Sequence, residues 1–247
     1  MIASLGAICG VGGGLLSTPI LHYGFSFDLR RAIATSLALV SATALSATVA
    51  EALRSDSAIP WTIVASIVPT ALLGAQLGVR YGERISVRAL KSIFCVALAI
   101  VGLRMLLQDG QAAAQLGYMP SAMEHVLAAL LGLGAGFVVP VLGIGGGMLM
   151  VPGMLLLVPA LGYLGARGTS LAVASFTATR SAFLYWRSGR LDVEAGRWIA
   201  AGALLGAFIG VQLVHLRPVA AVGQILLAVI LLVSGLRFGL DAYRAQE

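Results

Sequence analysis

The stretch GVGGGLLSTP, Gly10 to Pro19, returns as GIGGGMLMVP, Gly143 to Pro152, 133 residues later. Three adjacent glycines ahead of a proline cannot continue a helix at normal stability. Each Gly costs about 1 kcal/mol relative to Ala, and Pro removes a donor. Both stretches sit in apolar sequence, so the freed backbone groups would meet hydrocarbon unless protein or a cavity satisfies them. A break of this kind exposes N–H groups at the start of its second half-helix, where the dipole favours an anion. Two such breaks brought together make a candidate anion site near the membrane midplane.

The surrounding composition requires a membrane reading. Of 247 residues, 59% are hydrophobic and 11% charged, far from the balance of a soluble domain. Measured against the roughly 20 residues needed to cross a bilayer, the apolar runs fall into eight segments near 1–22, 33–53, 59–80, 88–107, 123–161, 168–186, 194–215 and 219–240. They are continuous and rich in Ala, Leu and Gly, without the ten-residue alternation of a barrel, so the expected fold is all-α. The start, MIASLGAICG, has neither a basic n-region nor a cleavage site, and no signal peptide is expected. The net charge of +6 comes from residues dispersed at segment ends, the pattern of topology determinants rather than of a nucleic-acid surface.

The duplication extends beyond the glycines. ATSLALVSAT (Ala34 to Thr43) falls on GTSLAVASFT (Gly168 to Thr177), GAQLGV from Gly74 on GAFIGV from Gly206, and the GLR ending at Arg104 on that ending at Arg237. Offsets of 132 to 134 over more than 90 residues mark an internal repeat. The chain divides into transmembrane repeats at 1–108 and 122–247, joined by a linker at 109–121.

Positive charge then orients the halves. Arg80, Arg84, Arg88 and Lys91 follow segment 3, and Arg187, Arg190 and Arg197 follow segment 6; Lys and Arg excess marks the cytoplasmic side. Three simple crossings between the two clusters would place them on opposite sides. The conflict disappears if segment 5 enters, breaks at GIGGG and leaves on the side it came from, with segment 1 doing likewise at GVGGG; residues 123–142 are also long enough to span fully, and two full crossings by the halves of segment 5 give the same parity. Each half then crosses an odd number of times, which gives two inverted four-segment repeats, each with a broken or re-entrant first helix.

Candidate contacts follow from this plan. The glycines are Gly12, Gly13, Gly14, Gly145, Gly146 and Gly147. Thr35 and Ser36 correspond to Thr169 and Ser170, and Ser41 and Thr43 to Ser175 and Thr177. Singly, such hydroxyls bond their own helix; as a symmetric set they are candidate substrate contacts. Arg180 lies inside segment 6 and is the candidate counter-charge for an anion, with snorkelling as the competing role. Gln76 could also donate to an anion. Gly74 and Gly78, and Gly202, Gly206 and Gly210, read instead as small-residue packing seams.

No carboxylate is expected deep in a span, Glu51 and Glu124 lying near segment ends. His22, His125 and His215 are scattered without metal spacing, as are Cys9 and Cys95, and no metal site or cofactor is expected. Neither glycine cluster completes a nucleotide-binding fingerprint, and no nucleophile motif supports an enzyme.

The duplicated GVGGG…P and GIGGG…P, the ATSLA and GTSLA that follow, and the paired GAQLG and GAFIG closely resemble the sulfite exporter TauE/SafE family of membrane permeases. The resemblance spans nearly the whole chain. It implies a multi-pass transporter in the cell (inner) membrane that exports sulfite, sulfonates such as sulfoacetate, or related small organic acids, by alternating access. Its motif positions are Gly10, Gly12, Gly13, Gly14 and Pro19, Gly143, Gly145, Gly146, Gly147 and Pro152, with Thr35, Ser36, Thr169 and Ser170. The expected partners are a small anion and the bilayer, with a homodimer allowed and no nucleic acid. A passive anion channel is the alternative mechanism.

Overall fold

In the computed structural model, which describes residues 2–55, 57, 59–81, 103, 121–142 and 147–244, the chain is built from helices and has no strand among the described residues. They are α1 (Ile2–Cys9), α2 (Gly14–Pro19), α3 (Leu29–Ala52), α4 (Trp61–Tyr81), α5 (Ala122–Leu142), α6 (Gly147–Leu157), α7 (Gly162–Arg187), α8 (Val193–Val214) and α9 (Arg217–Arg244). A π turn, Ile20–Gly24, follows α2, and a 3-10 turn, Pro159–Leu161, precedes α7. The expected segment at 88–107 and Gly145 and Gly146 lie outside the described residues.

Length and apolarity qualify four of the described helices as membrane spans: α3 over Arg30–Ala52, α4, α5 over Ala122–Val141, and α8. The α6–α7 pair is a fifth candidate, bent by 108° at its break. The described apolar stretch of α9 is Val222–Leu236. The chain is a multi-pass helical membrane protein.

Local chemistry starts these helices. Asp28 accepts the Arg30 N–H ahead of α3, and Asp192 accepts the Ala195 N–H ahead of α8, each satisfying one orphan donor. Ser121 and Glu124 form a capping box on α5, with the Ser121 N–H donating to Glu124 and the Glu124 N–H to the Ser121 hydroxyl.

Glycine sets how closely the helices pack. A methyl group added at Gly74 would lie 2.2 Å from the Leu133 carbonyl oxygen, and at Gly136, 2.1 Å from that of Ala71. Helices α4 and α5 thus run side by side in the same direction with backbones in contact, the geometry expected where dispersion rather than water drives association. Gly206 and Gly210 of α8 receive Ala3, Ser4 and Ala7 of α1 in the same way, whereas Gly202 meets nothing within 4 Å. The expected seams at 74/78 and 206/210 therefore pack, and Gly202 faces outward.

The bundle has two chemically different ends. One gathers Arg30, Arg31, Arg80, Arg187, Arg190 and Arg197, where α3 and α8 begin and α4 and α7 finish. A single apolar cluster of Ala34, Leu37, Val79, Val139, Tyr185 and Leu191 joins them there, and the Tyr185 hydroxyl donates to the Pro140 carbonyl at 3.0 Å. The other end holds the finish of α3, the start of α7 and the finish of α8. The first end carries the arginine excess among the described residues.

Candidate functional site

The first glycine cluster breaks the chain as its sequence requires. Gly10, Gly12 and Gly13 have φ of +74, +70 and +80°, a left-handed region that only glycine enters at no steric cost. α1 stops at Cys9 and α2 leaves at Gly14 back towards the arginine end. A methyl at Gly12 would lie 3.0 Å from Val40 Cγ1, and Val40 is halfway along α3. The break is therefore at mid-depth.

The carbonyls it exposes are capped from a distance. Gly6 O accepts from the N–H groups of Val11 and Gly12. Ala7 O accepts from Arg167 Nη1 at 2.9 Å, Ile8 O from the Tyr163 hydroxyl at 2.7 Å, and Gly10 O from Ser170 Oγ at 2.8 Å. Three α7 side chains thus replace the missing turn, each worth about 1 kcal/mol net and considerably more if removed from a buried carbonyl. A cation at the C-terminal end of α1 also complements its dipole.

Gly147, the residue of the second cluster among those described, meets the first cluster at this point. A methyl at Gly147, the first residue of α6, would lie 1.8 Å from Gly10 O and 2.5 Å from the Val11 Cα, so no larger residue fits without moving one break off the other. From Gly147, α6 runs back along α5, where Gly153 faces Leu131. Helices α1 and α2 open towards the arginine end, and α5 and α6 towards the other.

Beside the breaks is a buried charge cluster that the sequence reading missed. Arg167 is 0% exposed and Glu51 1%. Arg167 Nη2 is ion-paired with Glu51 Oε2, and His215 Nε2 stands 3.0 and 3.2 Å from the two Glu51 oxygens. The expectation that no carboxylate lies deep in a span did not extend to burial, and Glu51 is buried. It lies near the end of α3, as read, but α7 and α8 cover it. Two signals could have pointed here. Arg167 is three residues before Ser170, hence on the same helix face. Ser36, Val40, Thr43, Ala47 and Glu51 form one helical stripe on α3, all of it buried.

The other sequence candidates divide. Gly12, Gly13, Gly14 and Gly147 are buried at the junction. Thr35, Ser36, Thr169 and Ser170 are buried as well, but their bonds are not symmetric. Ser36 donates to Ile33 O and accepts from Thr18 Oγ1 at 2.9 Å, Thr35 Oγ1 accepts the Asp192 N–H at 3.4 Å, and Thr169 bonds back to Gly165 O. Ser175 and Thr177 bond their own helix at Ala172 O and Val173 O. Thr43 Oγ1 is buried without a hydrogen bond among the described residues. Ser41 is half-buried and Gln76 exposed on the outside of α4. Arg180 is half-buried, and it lies about 15 Å along α7 beyond Ser170 at 1.5 Å per residue, away from the breaks. Segment 6 was expected to begin at 168; α7 begins at Gly162, and those extra turns bring Arg167 inside.

At the arginine end a cleft of about 650 Å³ is lined by Asp28, Arg30, Arg31, Arg190 and Asp192. There Arg31 is ion-paired with Asp192, whose carboxyl is held below the usual aspartate range by the Ala195 N–H and then by Arg31. A separate gap among Ala71, Gly136, Val139, Met150, Ser170 and Thr177 is too narrow for a water molecule.

A fully buried ion pair beside a broken helix, in a bundle with several helices long and apolar enough to cross a bilayer, is the pattern of a polytopic membrane transport protein. The chain belongs to the sulfite exporter TauE/SafE family, whose model matches residues 1–124 and 127–247. A "Probable membrane transporter protein" of Xylella fastidiosa (strain 9a5c) is 30% identical over 218 residues, covering 83% of this chain and 78% of the relative. One of Haemophilus influenzae (strain ATCC 51907 / DSM 11121 / KW20 / Rd) is 28% identical over 152 residues, 59% and 54% of the two chains. The "Probable membrane transporter protein MamO" of Paramagnetospirillum magneticum is 30% identical over 105 residues, 40% of this chain and 16% of the relative's length. No solved structure gives a significant match.

Proposed function

We propose that this chain exports small anions, sulfite or organosulfonates of the sulfoacetate type, across the cell (inner) membrane by alternating access of two inverted repeats. The observation that carries the reading is the meeting of the Gly10–Gly13 break with Gly147 at mid-depth, beside the fully buried cation of Arg167. The two broken hairpins open towards opposite ends, which supports an inverted relation between residues 1–108 and 122–247. The family description supplies the substrate class.

In this reading an anion enters through the cleft at Arg31 and Asp192 and passes Thr35 and Ser36. At the breaks it meets the glycine N–H groups and the Arg167 guanidinium. Rocking of one repeat against the other closes the cleft and opens the Glu51 end. Arg167 replaces Arg180 as the counter-charge, because a half-buried arginine can reach the interface and a fully buried one cannot.

The test is flux of labelled sulfite and labelled sulfoacetate in proteoliposomes, with Gly147→Leu beside wild type. Saturable flux of either anion that the leucine abolishes is the expected result. Absence of flux for both would refute the reading, and conductance far above carrier turnover would replace it with a channel.

A further inference from the structure

The transport reading leaves part of the buried cluster unused. Arg167 divides its donors: Nη2 goes to Glu51 and Nη1 to Ala7 O, while Nε is buried without a partner among the described residues. A methyl at Gly10 would lie 2.8 Å from Arg167 Cγ, so the side chain passes directly from the glycine break to the carboxylate. The guanidinium has two possible counter-ions, Glu51 and an anion arriving at the break.

A site this dry must stay near neutral, because an uncompensated charge there is strongly unfavourable. Ionised Glu51 and cationic Arg167 already balance. An anion added at Arg167 competes with the carboxylate and leaves one negative charge in excess. A proton on Glu51 removes both obstacles at once.

Glu51 faces Arg167 of α7 and His215 of α8. Tyr163 of α7 and Cys9 of α1 lie near Arg167 rather than on the carboxylate. Arg54, just beyond the end of α3, bonds Gln212 of α8 at 3.1 Å. Ile59 and Gly168 close the remaining side. Thiols and phenols of ordinary acidity are neutral near pH 7 and arginine is always charged, so Glu51 and His215 are the pair that can exchange a proton. His215 caps α8 at the end of the bundle, its side chain 9% exposed, and stands between Glu51 and the membrane surface.

We infer that Glu51 and His215 form a proton-binding site linked to the anion site at Arg167, so that one proton and one anion bind together. This rests on the transport reading above, with the anion's own gradient driving export, because a proton that travels with the anion favours movement away from the more acidic side. The proton passes from solution to the His215 imidazole and then to a Glu51 carboxylate oxygen. The ion pair to Arg167 Nη2 opens, and the guanidinium, with its unpartnered Nε–H, takes the anion. No covalent bond in the protein other than these O–H and N–H bonds changes. Linkage requires the reverse as well: bound anion must strengthen proton binding at Glu51 by the same factor.

The test follows the protonated-carboxyl stretch of Glu51 by infrared difference spectroscopy on the full chain in proteoliposomes, using Glu51→Gln as the blank. The pH is lowered from about 9 to about 5, with and without 2-hydroxyethanesulfonate, a probe that carries one negative charge throughout and has no carboxyl of its own. The expected result is a band, absent from Glu51→Gln, that grows in with the sulfonate at a pH about one unit or more above that seen without it, a tenfold or larger linkage. His215→Gln, which keeps the Glu51–Arg167 pair, should retain the band and slow its rise after a pH jump. A band that the sulfonate does not move, or no band at all, overturns the inference. Flux of labelled 2-hydroxyethanesulfonate in the same vesicles separates the two failures: flux with an unmoved band removes the proton linkage alone, and no flux with an unmoved band removes both readings. Conversely, an imposed pH gradient should drive 2-hydroxyethanesulfonate away from the acidic side in wild type and do so at least tenfold less in Glu51→Gln; movement towards the acidic side overturns the inference.

Discussion

Helix α3 carries an arginine–carboxylate pair at each end. At one end Arg31 bonds Asp192, with side chains 55% and 15% exposed; at the other Glu51 bonds Arg167, at 1% and 0%. The chemistry is the same and the solvent is not. Near water the two charges are screened and contribute up to about 1 kcal/mol. In the dry interior each charge depends on its partner, and losing one leaves the other stranded. The first pair can open and close at the mouth of a cleft at little cost, whereas the second opens only when something else supplies the missing charge.

The comparison is broken most severely by Arg167→Ala. It strands Glu51 and uncaps Ala7 O, and thermal unfolding in detergent should show a loss of about 3–5 kcal/mol, or no folded protein. The double variant Glu51→Leu with Arg167→Met should recover most of that stability, since a matched apolar pair replaces a buried ion pair at little cost, and should carry no anion flux. If the double variant transports, Arg167 is not the counter-charge.

Ser170→Ala comes next. It leaves Gly10 O without its donor and should cost about 1–3 kcal/mol, whereas Ser175→Ala, whose hydroxyl only bonds back to Ala172 O, should change stability by about 0.5 kcal/mol or less. Equal losses at the two positions would remove the distant capping of α1.

At the exposed pair, Asp192→Ala should cost about 1 kcal/mol, mostly through the lost cap on Ala195, and Arg31→Ala less, with the remainder vanishing in high salt. The Asp192 carboxyl is held below its ordinary value in the folded chain. Its stabilisation is therefore complete above the unfolded aspartate value of about 3.9 and is lost as pH falls through the lower folded value. Unfolding measured from pH 6 downward should show wild type more stable than Asp192→Asn by a constant margin down to about pH 4, with the margin shrinking below it.

A smaller effect sharpens the assignment of the two ends. Cysteines placed at Arg80 and Arg190 should react with an impermeant reagent from one and the same side. Labelling from opposite sides would break the common end at which α4 and α7 finish.

Much of this was legible in the residues. The break at GVGGG followed from three glycines that no helix holds, and the seams at Gly74, Gly78, Gly206 and Gly210 from small residues at four-residue spacing. Burial of Thr35, Ser36, Thr169 and Ser170 followed from their place in apolar runs. What each hydroxyl bonds was not legible. Ser36 and Ser170 occupy equivalent repeat positions, yet one accepts from Thr18 and the other caps Gly10. A hydroxyl can turn to whichever group its neighbours present.

The counter-charge shows the limit most clearly. Arg180 stood out because it interrupts an apolar run, and Arg167 did not because it adjoins a stretch read as loop. By itself the sequence determined a helical membrane protein and the place, at Gly10 to Gly13, where its first helix must break, since these follow from local propensity and from what hydrocarbon tolerates. Only the tertiary structure decided which charges are dry. A charge near a helix end is solvated or buried according to which other helix covers it, and Glu51 is covered by residues 116 and 164 positions away.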